Sequence, residues 1–248
     1  MKLVYFSDLH LEFISPNNIQ QFINKIPPSK NDICILAGDI GDPYQTNYSI
    51  FMDFITNNFK KTFVITGNHE YYNKTKTVQE TNEFLYNYFQ QFDNITFLNN
   101  SYEIYEDVCF VGTTLWSKIT NPKYEICDVT KIPQFNYIEY NKLHEISIQF
   151  LEDTLQNNTN CVVITHHVPS DTLTHPKYKN QMLLPYNQWF CCNMDEFIQT
   201  NKDKIICWIY GHTHTPSKAL INNVPFLCNP IGYPGENYEF DFQQNIII

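Results

Sequence analysis

The sequence predicts an α/β protein, and three observations carry that expectation. Strand-like and helix-like patterns alternate through the first third of the chain, the strand-like runs stop on glycine or polar residues, and further strands follow later. Such alternation favours parallel strands joined by crossover helices. Residues 2–7 (KLVYFS) read as the first strand, and Ile19, Phe22, Ile23 and Ile26 have helical spacing within 18–26. A fully apolar strand is expected at 32–37 and a helix at 49–59. A strand at 62–66 and a helix at 77–92 follow.

From Ile95 the texture turns to strands. ITFLNN is one, and YEIYEDVCFVGTTLW reads as a hairpin turning at Glu106-Asp107. Residues 117–138, with Pro122 and Pro133, read as a surface excursion. A long helix is expected at 139–156, then the buried strand CVVIT. Residues 168–190, with Pro169, Pro176 and Pro185, read as a long loop of the kind that forms a lid or pocket wall. A short helix at 194–200 and strands in IICWIYG, KALINNVPFLCNP and YEFDF complete the chain. No repeat, low-complexity tract or linker interrupts it, so the expectation is a single domain over residues 1–248.

Composition narrows the function classes. Hydrophobic residues make up 43% of the 248, well outside the regime of disordered chains. The net charge is −10 with only 16 Lys and Arg, which argues against duplex nucleic acid as a partner, because such binding needs several phosphates neutralised by cations. Eight cysteines suggest no disulfide framework: Cys34, Cys109, Cys161, Cys207 and Cys228 sit in apolar runs, Cys191 and Cys192 are adjacent, and no Cys-x-x-Cys occurs. No apolar run reaches membrane-spanning length and Met1 leads straight into KLVYFSDLH, so a soluble, cytoplasmic protein is expected.

The strand ends carry the chemistry. The first ends in Ser7-Asp8-Leu9-His10, the second in Gly38-Asp39-Ile40-Gly41-Asp42 and the third in Gly67-Asn68-His69-Glu70. Two late strands end in Thr165-His166-His167 and Gly211-His212-Thr213-His214. Each group alone is an ordinary turn. Five at equivalent positions point to one site, because α/β sheets gather ligands at the carboxyl ends of strands.

Two divalent cations about 3.5–4 Å apart form a clamp for displacement at phosphorus. Their repulsion is on the order of 20 kcal/mol at an effective dielectric near 20, so an anion must bridge them. Asp39 is the natural bridge. Asp8, His10 and a distal histidine suit one cation; Asn68 and two more histidines suit the other. Mixed nitrogen and oxygen donors favour manganese, iron or zinc, and a shared hydroxide is the expected nucleophile. The rival motifs fail: His69-Glu70 lacks the second histidine of His-Glu-x-x-His, its place being taken by Asn73. Neither a glycine-rich phosphate loop nor a Gly-x-Ser-x-Gly elbow is present.

As a set, Asp8-x-His10, Gly38-Asp39-x-x-Asp42, Gly67-Asn68-His69-Glu70, His166 and Gly211-His212-x-His214 resemble the motifs of the calcineurin-like metallophosphoesterases. The resemblance implies a four-layer α/β/β/α sandwich of two mixed sheets with flanking helices. It implies two transition-metal ions, the first on Asp8, His10, Asp39 and His214 and the second on Asp39, Asn68, His166 and His212. It also makes His69 the acid that protonates the leaving oxygen, oriented by Asp42. His166 rather than His167 is taken as the ligand because it is the first residue past CVVIT; the role of Glu70 stays open. Gly112 to Trp116 and Asn229 to Pro234 look like segments of a poorly characterised subgroup of small, single-domain members, in which arginine often stands where this chain has Ile231.

The implied activity is hydrolysis of a phosphomonoester or phosphodiester, with a phosphorylated small molecule, nucleotide or phosphoprotein as substrate. The alternatives are a scaffold of the same fold that has lost catalysis, or a nuclease. Scaffolds of this fold typically lack the histidine of Gly-Asn-His, which is present here as His69. Tyr71, Tyr72, Trp116, Tyr186 and Trp189 are read chiefly as core, with base stacking as the other use of such rings.

Overall fold

A computed structural model describes residues 1–237 and 240–248. Its strands are β1 (Lys2–Phe6), β2 (Ser29–Ala37), β3 (Phe59–Ile65), β4 (Ile95–Phe97), β5 (Ser101–Tyr105), β6 (Val108–Thr113), β7 (Cys161–Thr165), β8 (Ile205–Ile209), β9 (Ser217–Ile221), β10 (Val224–Cys228) and β11 (Asn245–Ile247). The helices are α1 (Ile19–Ile23), α2 (Thr46–Asn58), α3 (Val78–Phe89), α4 (Cys127–Lys131), α5 (Tyr137–Asn157) and α6 (Asp195–Asn201).

They form two mixed sheets, ordered β11-β1-β2-β3-β4 and β5-β6-β7-β8-β10-β9. The inner strands of both are parallel, while β11, β5 and β9 pair antiparallel at the edges. Strand alternation builds the layers. Leu3 and Tyr5 face inward with Ile33, Ile35 and Phe63, and meet Phe110, Val162, Ile164 and Ile209 of the other sheet. Val4, Phe6, Cys34 and Leu36 face outward, under Phe22 of α1, Phe51 and Ile55 of α2 and Leu85 of α3. On the opposite side Val111, Val163 and Trp208 lie under Leu151 and Leu155 of α5 and Ile198 of α6. The result is the four-layer α/β/β/α sandwich.

Local chemistry sets the boundaries. Thr77 and Glu80 form a reciprocal capping box at the start of α3, and Asn136 caps α5 through the amides of Ile138 and Glu139. Glu106-Asp107 turns the β5–β6 hairpin and Asn222-Asn223 the β9–β10 hairpin, all four at positive φ, which matches the twist of the flanking strands.

Three segments depart from the sequence reading. Residues 117–138 are more than a surface excursion: Ile119, Ile132 and Phe135 are buried with Tyr71, Trp116, Tyr140 and Trp189 in a satellite core beside the site. Residues 168–190 contain three 3-10 turns, at Asp171–Leu173, Pro176–Tyr178 and Leu184–Trp189. Tyr238 and Glu239 of the expected YEFDF strand lie outside the described residues; the described terminal strand is β11, which closes the first sheet against β1. All eight cysteines are free and six are buried, as their apolar settings implied.

Candidate active site

The five strand-end segments converge at one edge of the sandwich. β1, β2 and β3 of the first sheet deliver Asp8 and His10, Asp39, and Asn68 and His69; β7 and β8 of the second deliver His166, His212 and His214. Asp8, His10, Asp39 and His214 form one group whose potential donor atoms lie within 4.8 Å of one another, and Asp39, His166 and His212 form another. Asn68 joins the second group through Oδ1, 3.2 Å from His166 Nε2. Asp39 belongs to both: its Oδ2 lies 3.3 Å from His166 Nε2 and 3.9 Å from His10 Nε2.

The donor chemistry fits a pair of cations. Imidazole nitrogens converge on one another, His10 Nε2 and His214 Nε2 at 3.1 Å and His166 Nε2 and His212 Nδ1 at 3.1 Å, an arrangement suited to lone pairs that share an ion. His214 Nε2 lies 3.4 Å from Asp8 Oδ1. The backbone is strained to achieve this: Asp8, His10, Asp39, His212 and His214 all sit at φ between 45° and 67°. Left-handed conformations cost about 1–2 kcal/mol per non-glycine residue and concentrate where function fixes the chain. Two glycines make the close approach possible. A Cβ on Gly67 would stand 2.2 Å from Asp39 Oδ1, and one on Gly38, itself at φ 83°, would stand 2.6 Å from His166 Nδ1.

Partners outside the groups fix the donors. His166 Nδ1 faces the carbonyl of Ala37 at 3.0 Å and His214 Nδ1 faces Glu236 Oε2 at 2.7 Å, leaving Nε2 of each ring toward the cluster. The amide of His212 donates to both oxygens of Asp8. His167 turns the other way: it is buried, against Tyr140 and the Thr114 carbonyl, and burial beside His166 pulls it down to about 3. Burial also opposes charge on His166, but Asp39 outweighs it and raises the imidazolium to about 10. Protons therefore compete with a cation for that lone pair.

His69 is in neither group but forms a third set with His10 and Glu12, donor atoms within 4.8 Å of one another, and its backbone amide donates to Asp39 Oδ1 at 2.7 Å. The carboxylate that meets its ring is Glu12, not Asp42. Glu12 Oε1 lies 2.9 Å from His69 Nδ1 and 3.1 Å from His10 Nδ1. Asp42 instead closes its own turn, accepting from the amide of Tyr44 and the side chain of Gln45. Burial raises the Glu12 carboxyl, yet the two imidazoles overcome it and hold the pKa below the usual range, so Glu12 is an anion. Burial disfavours the His69 imidazolium, but Asp39 and Glu12 raise it on balance.

Glu70 has a structural partner set. It accepts from the amides of Gly67 at 2.7 Å, Ile40 at 2.7 Å and Asp39 at 3.1 Å, tying the loop after β2 to the loop after β3. Burial and the charge of Asp39 push its carboxyl up to about 8 against the pull of those amides.

Three residues in the site are unmarked in the sequence, and a fourth, Tyr233, is marked only as part of the segment 229–234 with no role given. Glu12 sits two positions past His10, in a 3-10 turn at Leu11–Phe13 whose geometry the sequence does not advertise. Asp128 arrives from α4 and its Oδ1 accepts from Asn68 Nδ2 at 3.0 Å and from the Tyr72 hydroxyl. Tyr233 places its hydroxyl 3.2 Å from His69 Nε2, and Glu236 holds His214. Of the aromatic residues considered from sequence, Tyr71, Trp116 and Trp189 are core. Exposed rings at the site include Phe13 and Tyr233, 5.6 Å apart and edge to face, and Phe190, stacked on His212 at 4.8 Å.

This fold and site define a metal-dependent phosphoesterase: the chain belongs to the calcineurin-like phosphoesterases, whose family profile matches residues 1–216. It is 34% identical over 270 residues to the uncharacterized protein L509 of Acanthamoeba polyphaga mimivirus, covering 96% of this chain and 94% of that protein. Among solved structures it resembles the phosphopantetheinyl hydrolase of Mycobacterium tuberculosis, with a TM-score of 0.76, 16% identity, and coverage of 99% of this chain and 95% of the other. It also resembles the protein TT1561 of Thermus thermophilus, with a TM-score of 0.58, 11% identity, and coverage of 92% and 88%. Among the described residues no helix is long and apolar enough to cross a membrane.

Proposed function

We propose that the chain, read as one catalytic domain over residues 1–248, hydrolyses phosphoesters at a two-metal site. Asp8, His10, Asp39 and His214 hold the first ion and Asp39, Asn68, His166 and His212 the second, with manganese, iron or zinc matching the donors. The observation that carries the reading is the position of Asp39, whose Oδ2 lies between the two donor groups. When bound, the ions supply an acidified water and neutralise the phosphoryl oxygens.

The chain's own residues supply the rest. Glu12 keeps the proton of His69 on Nδ1 and turns Nε2 toward the mouth, where Tyr233 now faces it. A neutral leaving alcohol needs a proton, and an imidazolium held by a carboxylate delivers one. Phe13 and Tyr233 line the same side, so the leaving group departs along an apolar wall. The sequence contains no arginine, and Ile231 packs against the outer core instead of reaching toward a phosphate. Charge on the substrate is therefore met by the bound ions and His69.

A phosphorylated small molecule or nucleotide is the substrate class this reading favours, in keeping with the structural neighbour named for phosphopantetheinyl hydrolysis. The reduced thiols suit a cytoplasmic setting. The test is manganese binding together with hydrolysis of mono- and bis-nitrophenyl phosphate by the purified chain. Two ions per chain and turnover of at least one ester are expected. One ion with full turnover refutes the two-metal mechanism, and no turnover of either ester refutes phosphoester cleavage.

A further inference from the structure

We infer that Asp128 is a positioning residue for the second metal pocket, setting which end of the Asn68 amide faces His166 and His212. The inference rests on the two-metal reading above. It starts from an ambiguity in chemistry: an amide offers one acceptor oxygen and one donor nitrogen, and the two ends have nearly the same shape. Only the oxygen serves a cation.

The surroundings of Asn68 resolve that ambiguity. Its Nδ2 donates to Asp128 Oδ1 at 3.0 Å and to the Tyr72 hydroxyl at 3.0 Å, so both N–H groups are engaged away from the cluster. Oδ1 is left facing His166 Nε2 at 3.2 Å. Turned over, the amide would set its oxygen against a carboxylate and point N–H groups into the donor set. Asp128 is fully buried, and its Oδ2 has no hydrogen-bond partner. Burying a half-satisfied carboxylate costs stability, and a neutral acceptor would serve packing alone. What the carboxylate adds is negative charge behind the amide, which strengthens Oδ1 as a donor to a cation in the way outer partners strengthen metal ligands generally.

The same oxygen also reaches the acid. Tyr72 donates its hydroxyl to Asp128, and its ring packs 4.3 Å from that of His69 at 36°. One residue from the excursion thus backs both the second pocket and the His69 imidazole. Because Asp128 touches neither substrate nor the reacting atoms, its effect must appear in metal binding first.

The experiment is a manganese titration of the wild-type chain, Asp128→Asn, Asp128→Ala and Tyr72→Phe, followed by calorimetry and electron paramagnetic resonance. The wild type is expected to bind two ions with an exchange-coupled spectrum. Asp128→Ala is expected to weaken one of the two binding steps about 10–100-fold, the range of outer-shell substitutions, with an uncoupled spectrum at intermediate manganese. Asp128→Asn keeps shape and an acceptor oxygen but drops the charge, so it should fall between the two; it also decides the matter if the alanine variant does not fold. Tyr72→Phe should keep the coupled spectrum. Wild-type affinity and coupling in both Asp128 variants would overturn the inference and leave the hydrolase reading intact. Two coupled ions in a wild type that cleaves no ester would sink phosphoester cleavage, and weakened binding in the Asp128 variants would still support the role of Asp128. A wild type that takes one ion overturns the two-metal reading and this inference with it.

Discussion

Glu12→Gln and Asp42→Asn, measured side by side, test which carboxylate orients His69 and whether His69 serves as the proposed acid. Glu12 Oε1 receives two imidazole nitrogens at 2.9 and 3.1 Å, whereas Asp42 is committed to the turn at Tyr44 and Gln45. Glutamine preserves an acceptor oxygen and removes the charge. A hydrogen bond to a charged group contributes about 1.5–3 kcal/mol and a neutral one about 0.5–1.5, so each imidazole loses roughly 1–1.5 kcal/mol. For His69 that corresponds to about tenfold in any step that needs its proton. The assay compares an alkyl phosphoester, whose alkoxide must be protonated, with a nitrophenyl ester, whose phenolate leaves unaided. Saturating manganese removes the share of the effect that reaches the metal through His10. Glu12→Gln should lower kcat on the alkyl ester about tenfold and barely change it on the nitrophenyl ester. His69→Ala marks the ceiling, about 10²–10⁴-fold on the alkyl ester alone. Equal losses on both esters, or an alkyl-selective loss in Asp42→Asn, would refute the reasoning.

Further outcomes follow from the same geometry. Gly67→Ala brings a Cβ to 2.2 Å from Asp39 Oδ1, so it should abolish binding of the second ion and destabilise the fold by about 1–3 kcal/mol, read by metal analysis and urea titration. Glu70→Gln turns an amide N–H₂ toward backbone donors and should cost about 1–3 kcal/mol by the same titration, since a buried donor is left facing donors. Chelation should stop hydrolysis, and manganese at about 100 times its Kd should restore it with about 2.7 kcal/mol of added stability, seen as a Tm rise of roughly 5–10 °C. Phe13→Ala should raise KM for an aryl ester more than for an alkyl ester, because it strips the apolar wall on the side of His69.

The alternating strands and helices and the five strand ends were readable because they are local: periodicity marks a strand, and a ligand follows it at once. The face-to-face sandwich was not local. It came through the family resemblance, and only the coordinates show Phe63 stacked on Phe110 across the interface. Glu12 shows what the motifs leave out. The resemblance points to Asp42, three residues past Asp39, as the partner of His69, but the turn after Pro43 engages its oxygens, while the 3-10 turn at Leu11–Phe13 sets Glu12 against two rings. Asp128 was invisible for a different reason: it lies 60 positions from Asn68, in a proline-flanked stretch with no periodic pattern, and only the burial of its neighbours Ile132 and Phe135 pins the segment down. Glu70, left open by the sequence, finds its role in amides from two different loops.

Each donor group draws on both sheets: His214 completes the set begun by Asp8, His10 and Asp39, and Asp39 completes the set begun by His166 and His212. Neither donor set is complete until the sheets have docked, so an ion held by a full set would oppose their separation and is expected to act as a brake on unfolding.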